Sequence, residues 1–378
     1  MLQVITKLDM GGAEVVALDL VSALRRDVDF AVASVLDVDP SPVGVAMARQ
    51  LSDMAIPLFP GARGHFKKGG ALQSAWRLAQ AVRRFQPDLV HLHTEMPELT
   101  WAIAGLLAPG LRKVPVLRTV HNCELWIAWG RIGRWVTGRL AGAQVLAVSR
   151  AAAEADAAIP TRRTRPVAEV VYNGVTAPVA AGPDDSYDGG GDDRTGVHVL
   201  FAGRLIEQKA PDLLPEILRR AHAATPRRDV CVRIAGAGPL EAALRDALHG
   251  IAPGWTVTMT PPIANLSSKL SRFDVVLMPS RYEGFSILAM ETLLSGVPLV
   301  ATRAPGLREA FPDDYPFCAE VDDAAGLGAI LAGVIADPEA ARQRIAVLVP
   351  ALAQQFAPDA MIARHAQIYA AAARSPAA

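Results

Sequence analysis

Glu283 and Glu291 stand eight residues apart in the run Pro279-Ser280-Arg281-Tyr282-Glu283-Gly284-Phe285-Ser286-Ile287-Leu288-Ala289-Met290-Glu291. The first carboxylate follows an apolar, strand-like run at residues 275–278. The second lies inside an apolar helical run that continues through Leu293 and Leu294, and Gly284 marks the turn between them. A loop that opens a helix aims unpaired backbone N–H groups, and the positive end of the helix dipole, at one point, which suits a phosphate. A carboxylate on either side of that point can accept hydroxyl hydrogens. The arrangement predicts a sugar-nucleotide site, with the diphosphate on the helix N-terminus and a glutamate for a sugar at each side. It does not predict a glycosidase, whose two carboxyl groups lie about 5–9.5 Å apart, because eight helical residues rise about 12 Å.

A second cluster supplies positive charge. The strand-like residues 197–202 run into Gly203-Arg204-Leu205, and Lys209 follows in the same loop. Arg204 then sits just past a strand end, where ligands bind in open α/β sheets. Two cations on one loop can neutralise a departing diphosphate as its charge grows. The next strand ends in Gly236-Ala237-Gly238-Pro239, a tight turn read as scaffold with a contact to the nucleotide base.

In the first half, His121 follows residues 116–120, again at a strand's carboxyl end, where it can donate a hydrogen bond to a sugar hydroxyl. His91 and His93 share one side of a strand by the period of two. No third ligand is placed beside them, so they read as structural and no metal is expected. Asp37-Val38-Asp39 reads as a solvated loop. Gly11-Gly12 opens the first helix, a turn where backbone can approach an anion or a substrate.

The elements that must position these groups alternate. Strand-like runs at residues 4–6, 30–35, 89–92, 116–120 and 145–148 are separated by helical stretches such as 13–24 and 71–84. A second series at 197–202, 230–235, 255–259, 275–278 and 298–301 repeats the order, residues 341–352 are helical or coil, and 361–373 read as a helix. The pattern predicts an α/β chain of two Rossmann-like domains facing across a cleft. Residues 1–178 form the acceptor-binding domain and 197–355 the nucleotide-sugar domain. The Gly/Asp-rich stretch 179–196 is a linker or exposed loop, and a final helix in 356–378 packs back on the N-terminal domain.

Composition bounds the rest. At 378 residues with 51% hydrophobic content the chain is globular and long enough for two domains. It shows no charge-free run of about 18 apolar residues that would span a membrane. The N-terminal residues lack the pattern of a signal peptide, and three scattered cysteines give neither a disulfide framework nor zinc spacing. A cytoplasmic location is the expectation. Net charge is zero, but residues 1–178 hold 20 Lys and Arg against 15 Asp and Glu. Residues 126–139 place three tryptophans among three arginines, a composition that suits an interfacial helix at an anionic membrane and equally a core helix with a basic face. Nothing points to nucleic acid.

Taken together these residues resemble the glycosyltransferase family 4 group of retaining enzymes with the GT-B fold. The likeness runs through Gly11-Gly12-Ala13-Glu14, Thr119-Val120-His121-Asn122, Ala147-Val148-Ser149, Asn173-Gly174-Val175, Gly203-Arg204-Leu205 with Lys209, the segment from Pro279 to Glu291, Gly296-Val297-Pro298 and the terminal Ile368-Tyr369. The resemblance implies that Arg204 and Lys209 bind the donor diphosphate and that Glu291 holds the ribose hydroxyls. It implies that Glu283, with the backbone of Gly284, Phe285 and Ser286, holds the donor sugar and phosphate. Gly203 and Asn173 would join the substrate-binding set, with Gly11, Gly12 and His121 near the sugar.

The implied donor is a nucleotide-diphosphate sugar, UDP-linked by preference, and the implied acceptor a lipid-linked saccharide or polysaccharide precursor. Transfer would proceed with retention and without metal or other cofactor. Departures from the family pattern are Ala237 for an acidic residue, Ala210 and Ser286 for glycines, and Thr176 for aspartate. A natural-product acceptor, or epimerase or hydrolase chemistry on the nucleotide sugar, remains an alternative. An NAD-linked enzyme is excluded by the lack of Gly-x-Gly-x-x-Gly after the first strand.

Overall fold

The computed structural model describes residues 1–374 apart from Met10, His65, Ala128, residues 180–195 and Arg227. The stretch 179–196 therefore lies outside the described residues except at its two ends. The chain divides into two compact units, Met1–Gly174 with Pro358–Ala378, and Val175–Ala357.

Among the described residues the first unit holds seven parallel strands: β1 (Leu2–Ile5), β2 (Ala31–Ser34), β3 (Leu58–Phe59), β4 (Val90–His93), β5 (Val116–Val120), β6 (Gln144–Ala147) and β7 (Glu169–Val170), in the order β3-β2-β1-β4-β5-β6-β7. β1, β2 and β4 are buried along their whole length. Helices cover both faces of such a sheet, so its central strands are buried on both sides, and the polar Gln3 of β1 and His91 and His93 of β4 are buried with them. The second unit holds β8 (Val197–Ala202), β9 (Val230–Ala235), β10 (Thr256–Thr260), β11 (Val275–Met278), β12 (Leu299–Thr302) and β13 (Cys318–Ala319), in the order β10-β9-β8-β11-β12-β13 and again all parallel.

Each sheet grows outward in both directions from its first strand. The strand order reverses between β1 and β4 in one unit and between β8 and β11 in the other. The loops leaving those strands diverge and open a crevice at their carboxyl ends. Most expected strands lie within a residue or two of the observed ones. The two-residue strands β3, β7 and β13 were absent from the sequence reading, since a pair of residues shows no alternation. Residues 341–352 divide between two helices, Pro338–Ala346 and Val349–Gln355, the second with Pro350 in its first turn, where a missing N–H costs nothing.

The last helix, Pro358–Arg374, belongs to the first unit. Ile368 and Tyr369 are buried, Tyr369 meets the Phe30 ring edge-on, and Arg364 pairs with Glu169 of β7. Beneath the carboxyl end of β5, Arg118 is 1% exposed and forks onto Glu98, with Nε donating to Oε1 at 2.8 Å and Nη2 to Oε2 at 3.1 Å. The same Nη2 reaches Asp156, whose other oxygen accepts from Arg165 at 2.7 Å. This cluster bolts β5 to the helices Glu95–Leu107 and Arg150–Ala157. Removing one partner of a buried pair strands the other charge in a low-dielectric interior. Arg118→Met is therefore expected to lower unfolding stability by about 3–5 kcal/mol in urea titration. A loss below about 1 kcal/mol, the range of an exposed pair, would contradict the bolt.

Candidate functional site

In the second unit both loops at the order reversal carry the charged residues singled out by sequence. β8 leads into Gly203, Arg204 and the short turn Glu207–Lys209, and β11 leads into Pro279 through Ser286. The structure brings Lys209 and Glu283 together. Lys209 Nζ donates to Glu283 Oε1 at 2.6 Å, and Ser280 Oγ donates to the same oxygen at 2.7 Å. Glu283 is 6% exposed, so its charge needs this pairing. Arg204 is exposed, with Nη2 3.3 Å from Gln208 Oε1.

The helix that follows is Ile287–Leu294, with Ser286 rather than Gly284 at its N-cap. Ser286 Oγ accepts from the Ala289 N–H at 3.3 Å, a bond the glycine common in the family could not make. Among the described residues the N–H groups of Gly284, Ser286, Ile287 and Leu288 have no acceptor. Unpaired N–H groups at a helix start, with the positive end of the helix dipole, are suited to an anion. Phe285 is buried, its ring 5.3 Å from that of Phe356, so the loop contributes backbone there rather than a side chain. Glu291 is half-buried on the helix. Burial raises its pKa, and a hydrogen bond from Ser267 partly offsets this.

Sequence reading missed the residues that hold these loops in place. Arg281 donates to both oxygens of Asp212, at 3.0 and 2.7 Å, to Asp322 at 2.8 Å and to the Glu207 carbonyl at 3.0 Å. Its backbone N–H donates to the Gln208 carbonyl, and Gln208 Nε2 donates to the Tyr282 carbonyl. The Lys209 loop and the Glu283 loop are thereby tied into one piece. Gly306, at φ +75, lies under that piece, and a side chain there would strike the carbonyl oxygens of Glu283 and Gly284. The turn at Gly236 and Gly238 is pressed against the carbonyls of Gly203 and Leu205, which gives it a scaffolding role. Ala210 sits at φ +48, left-handed backbone that explains why glycine suits the position. Asp212 and Asp322 lie 69 and 41 residues from Arg281 along the chain, so only the fold distinguishes Arg281 as a tie.

In the first unit Gly11 is the N-cap of helix Gly12–Leu24. In this turn the Glu14 side chain lies over Gly11 and accepts hydrogen bonds from the backbone of Glu14 and Lys7. A glutamate at the third helical position commonly serves the first turn in this way. Asn173 is buried one residue before the handover between units.

His121 stands at the end of a buried polar chain. Gln3 Nε2 donates to Tyr369 Oη at 3.2 Å, Tyr369 Oη lies 3.0 Å from His91 Nδ1, and His91 Nε2 lies 2.7 Å from Thr119 Oγ1. The other end of the Gln3 amide, Oε1, accepts from His93 Nε2 at 2.8 Å. His93 Nδ1 then holds a lone pair, and it faces His121 Nε2 at 3.0 Å. Burial is the leading cause that lowers the pKa of His91, His93, His121 and His365, so these rings are neutral. With this amide orientation His121 donates through Nε2 to His93, and Nδ1 remains as an acceptor. Where the sequence suggested a hydrogen-bond donor, this tautomer presents an acceptor. Thr94, at φ +74 and linked to Thr6 by a 3.0 Å hydroxyl contact, marks the same strand ends and carried no sequence signal.

The segment 126–139 splits. Trp126 is 8% exposed with its ring against Gly133, and Trp129 packs on the core, whereas Trp135 and Ile132 are exposed. Part of the segment thus faces the core and part faces solvent.

The neutral histidines have a pH signature. Their folded pKa values lie below the ordinary 6.5, so the unfolded chain takes up protons that the fold refuses as pH drops through that value. Stability is full above pH 6.5 and falls below it, by up to about 1.4 kcal/mol per pH unit for each ring. The Tm of this unit is expected to fall between pH 6.5 and about 5, and more shallowly in His93→Gln. A Tm that is flat across that window would contradict the neutral cluster.

Comparison with known proteins agrees with this geometry. The family described as Glycosyltransferase Family 4 matches residues 10–177, and the one described as Glycosyl transferases group 1 matches residues 196–337. The chain is 32% identical over 319 residues to the glycogen synthase of Mycobacterium tuberculosis, covering 77% of this chain and 70% of that protein. It is 35% identical over 120 residues to the D-inositol 3-phosphate glycosyltransferase of an Arthrobacter species, covering 31% of this chain and 28% of that protein. In fold it is similar to the crystal structure of Anabaena Alr3699/HepE in complex with UDP and glucose, with a TM-score of 0.78 at 18% identity over 98% of this chain and 99% of that one. The chain belongs to the family 4 glycosyltransferases, enzymes of the GT-B type.

Proposed function

We propose that this glycosyltransferase moves a sugar from a nucleotide-diphosphate donor, a UDP-sugar by preference, to an acceptor hydroxyl with retention of configuration. The observation that carries the reading is the half-buried ammonium of Lys209 next to helix N–H groups with no acceptor, at the order reversal of the second sheet. That is where a diphosphate gains most from charge-assisted hydrogen bonds. The UDP and glucose held by HepE support the choice of nucleotide.

In this reading Lys209 and Arg204 stabilise the oxygen that carries the growing charge as the bond between the sugar C1 and the β-phosphate oxygen breaks. The acceptor oxygen bonds to C1 on the same face, and its proton passes to the departing phosphate. Glu291 accepts from the ribose hydroxyls, and Glu283 holds the donor sugar while keeping Lys209 oriented. His121 Nδ1 accepts from a sugar hydroxyl. The charge of the leaving group is met by Lys209, Arg204 and the helix N-terminus, so no metal is required. The acceptor is a lipid-linked saccharide or polysaccharide precursor, handled in the cytoplasm with peripheral membrane contact in the region of residues 126–139.

A thermal-shift screen against UDP, GDP, ADP and their sugars is expected to show stabilisation by UDP and a UDP-sugar. No shift with any of them would overturn the reading. Lys209→Ala is expected to lower turnover by about a hundredfold to a thousandfold. Glu291→Ala is expected to weaken UDP binding by about tenfold to a hundredfold. Wild-type rates in both variants would displace the site. EDTA is expected to leave turnover unchanged, and a loss restored by Mg²⁺ would contradict the metal-free route.

A further inference from the structure

At the opposite end of the first sheet from His121 lies an open cavity of about 1320 Å³, lined by Val114 to Val116 at the start of β5 and by Leu140 and Ala143 ahead of β6. Six cations face it: Arg112, Lys113, Arg134, Arg139, Arg162 and Arg163. No carboxylate lines it, and among the described residues none of the six meets one. They come from three separate stretches of chain, and residues 101–150 as a whole hold seven Lys and Arg against one Glu. Like charges gathered without a counter-charge repel one another, and the assembly is relieved when an anion enters. The cavity is remote from His121, because the run of β5 to that residue is about 16 Å long.

The rim decides which anion. Trp135, which lines the cavity, is 39% exposed, and Leu106, Leu107 and Ile132 are exposed within two residues along the chain of the lining residues Gly105 and Arg134. Arg139 lies over the Trp135 ring, 5.5 Å from its centroid, so an apolar surface and a cation are presented together. A soluble phosphate has no use for an apolar rim, whereas a lipid offers a phosphate in the headgroup and hydrocarbon just below it. Among the described residues no single helix is long and apolar enough to cross a membrane, so contact of this kind is peripheral.

We propose that this cavity seats the phosphate-bearing headgroup of an anionic lipid and docks the first unit on a bilayer surface. The proposal deepens the reading of the chain as acting at a membrane. It replaces the segment 126–139 as the contact with a cavity assembled largely from other residues, of which that segment supplies Arg134, Trp135 and Arg139.

The test is sedimentation of the full chain with vesicles of phosphatidylcholine alone and of phosphatidylcholine doped with phosphatidylglycerol. UDP thermal shift is measured on the same samples. The wild type is expected to bind the doped vesicles only, less so as salt rises. Arg139→Glu combined with Arg163→Glu is expected to lose about tenfold or more of that binding, at about 1 kcal/mol for each basic residue near the surface. The UDP shift should be unchanged. Where the double variant loses the UDP shift and so its fold, the exposed single variant Arg163→Gln carries the comparison.

Equal binding of the wild type to both vesicles, or to neither, overturns the proposal, as does a variant that binds like wild type. Stabilisation by inorganic pyrophosphate that the variant loses, without vesicle binding, assigns the cavity to a free anion and overturns the lipid. A missing UDP shift in protein that binds doped vesicles removes the donor reading and leaves this one standing.

Discussion

An ammonium 2.6 Å from a carboxylate, where strand order reverses in the second sheet, is the contact on which the rest of the site depends. Lys209 and Glu283 are both largely removed from water, and neither charge would be tolerable there alone. Each is held by a loop with little structure of its own, and the loops stay in register because Arg281, Gln208 and Gly306 bind one to the other. Substrate charge then enters a place already built for charge. In the proposed function a diphosphate is received by the N–H groups at the start of helix Ile287–Leu294 and by the Lys209 ammonium, a preorganised arrangement of the kind that electrostatic stabilisation uses.

The first unit solves a different problem with the same economy of parts. The ends of its strands β4 and β5 carry neutral, hydrogen-bonding groups where the second unit carries ions. His91, His93, His121, Gln3, Thr119 and the Tyr369 hydroxyl share a hydrogen-bonded network, and the His365 ring, bonded to the Met361 carbonyl, packs against His91 and Tyr369. The last helix supplies two of those groups, Tyr369 and His365, which makes the chain's far end part of the setting of His121. The Arg118 cluster fixes β5 from below. A neutral acceptor at His121 suits recognition of hydroxyls, and a buried imidazole needs no counter-ion to stay in place.

The architecture was legible because parallel strands buried on both faces tend to be written as short apolar, β-branched runs, and such a run stands at residues 275–278 without any context. The charged loop residues were legible too, since Arg204, Lys209, Glu283 and Glu291 follow or flank such runs. What could not be read was partnership. Arg281 looks like any surface arginine until its loop is placed over Asp212 and Asp322, 69 and 41 residues away along the chain. The occupation of the Gly11 turn by Glu14 is a matter of side-chain direction, which a Gly-Gly signal does not carry. The inward turn of Trp126 and the gathering of Arg112, Lys113, Arg162 and Arg163 beside Arg139 are likewise products of packing, and composition alone assigned the basic aromatic character to a single helix.

The measurement that reaches the central claim most directly is a crystal structure of the protein soaked with UDP. The account predicts the β-phosphate within hydrogen-bond distance of Lys209 Nζ and of the backbone N–H groups at Ser286 and Ile287, with the ribose hydroxyls on Glu291. A nucleotide bound elsewhere, or bound in the second unit with the Lys209–Glu283 pair untouched and its phosphates in solvent, would contradict it.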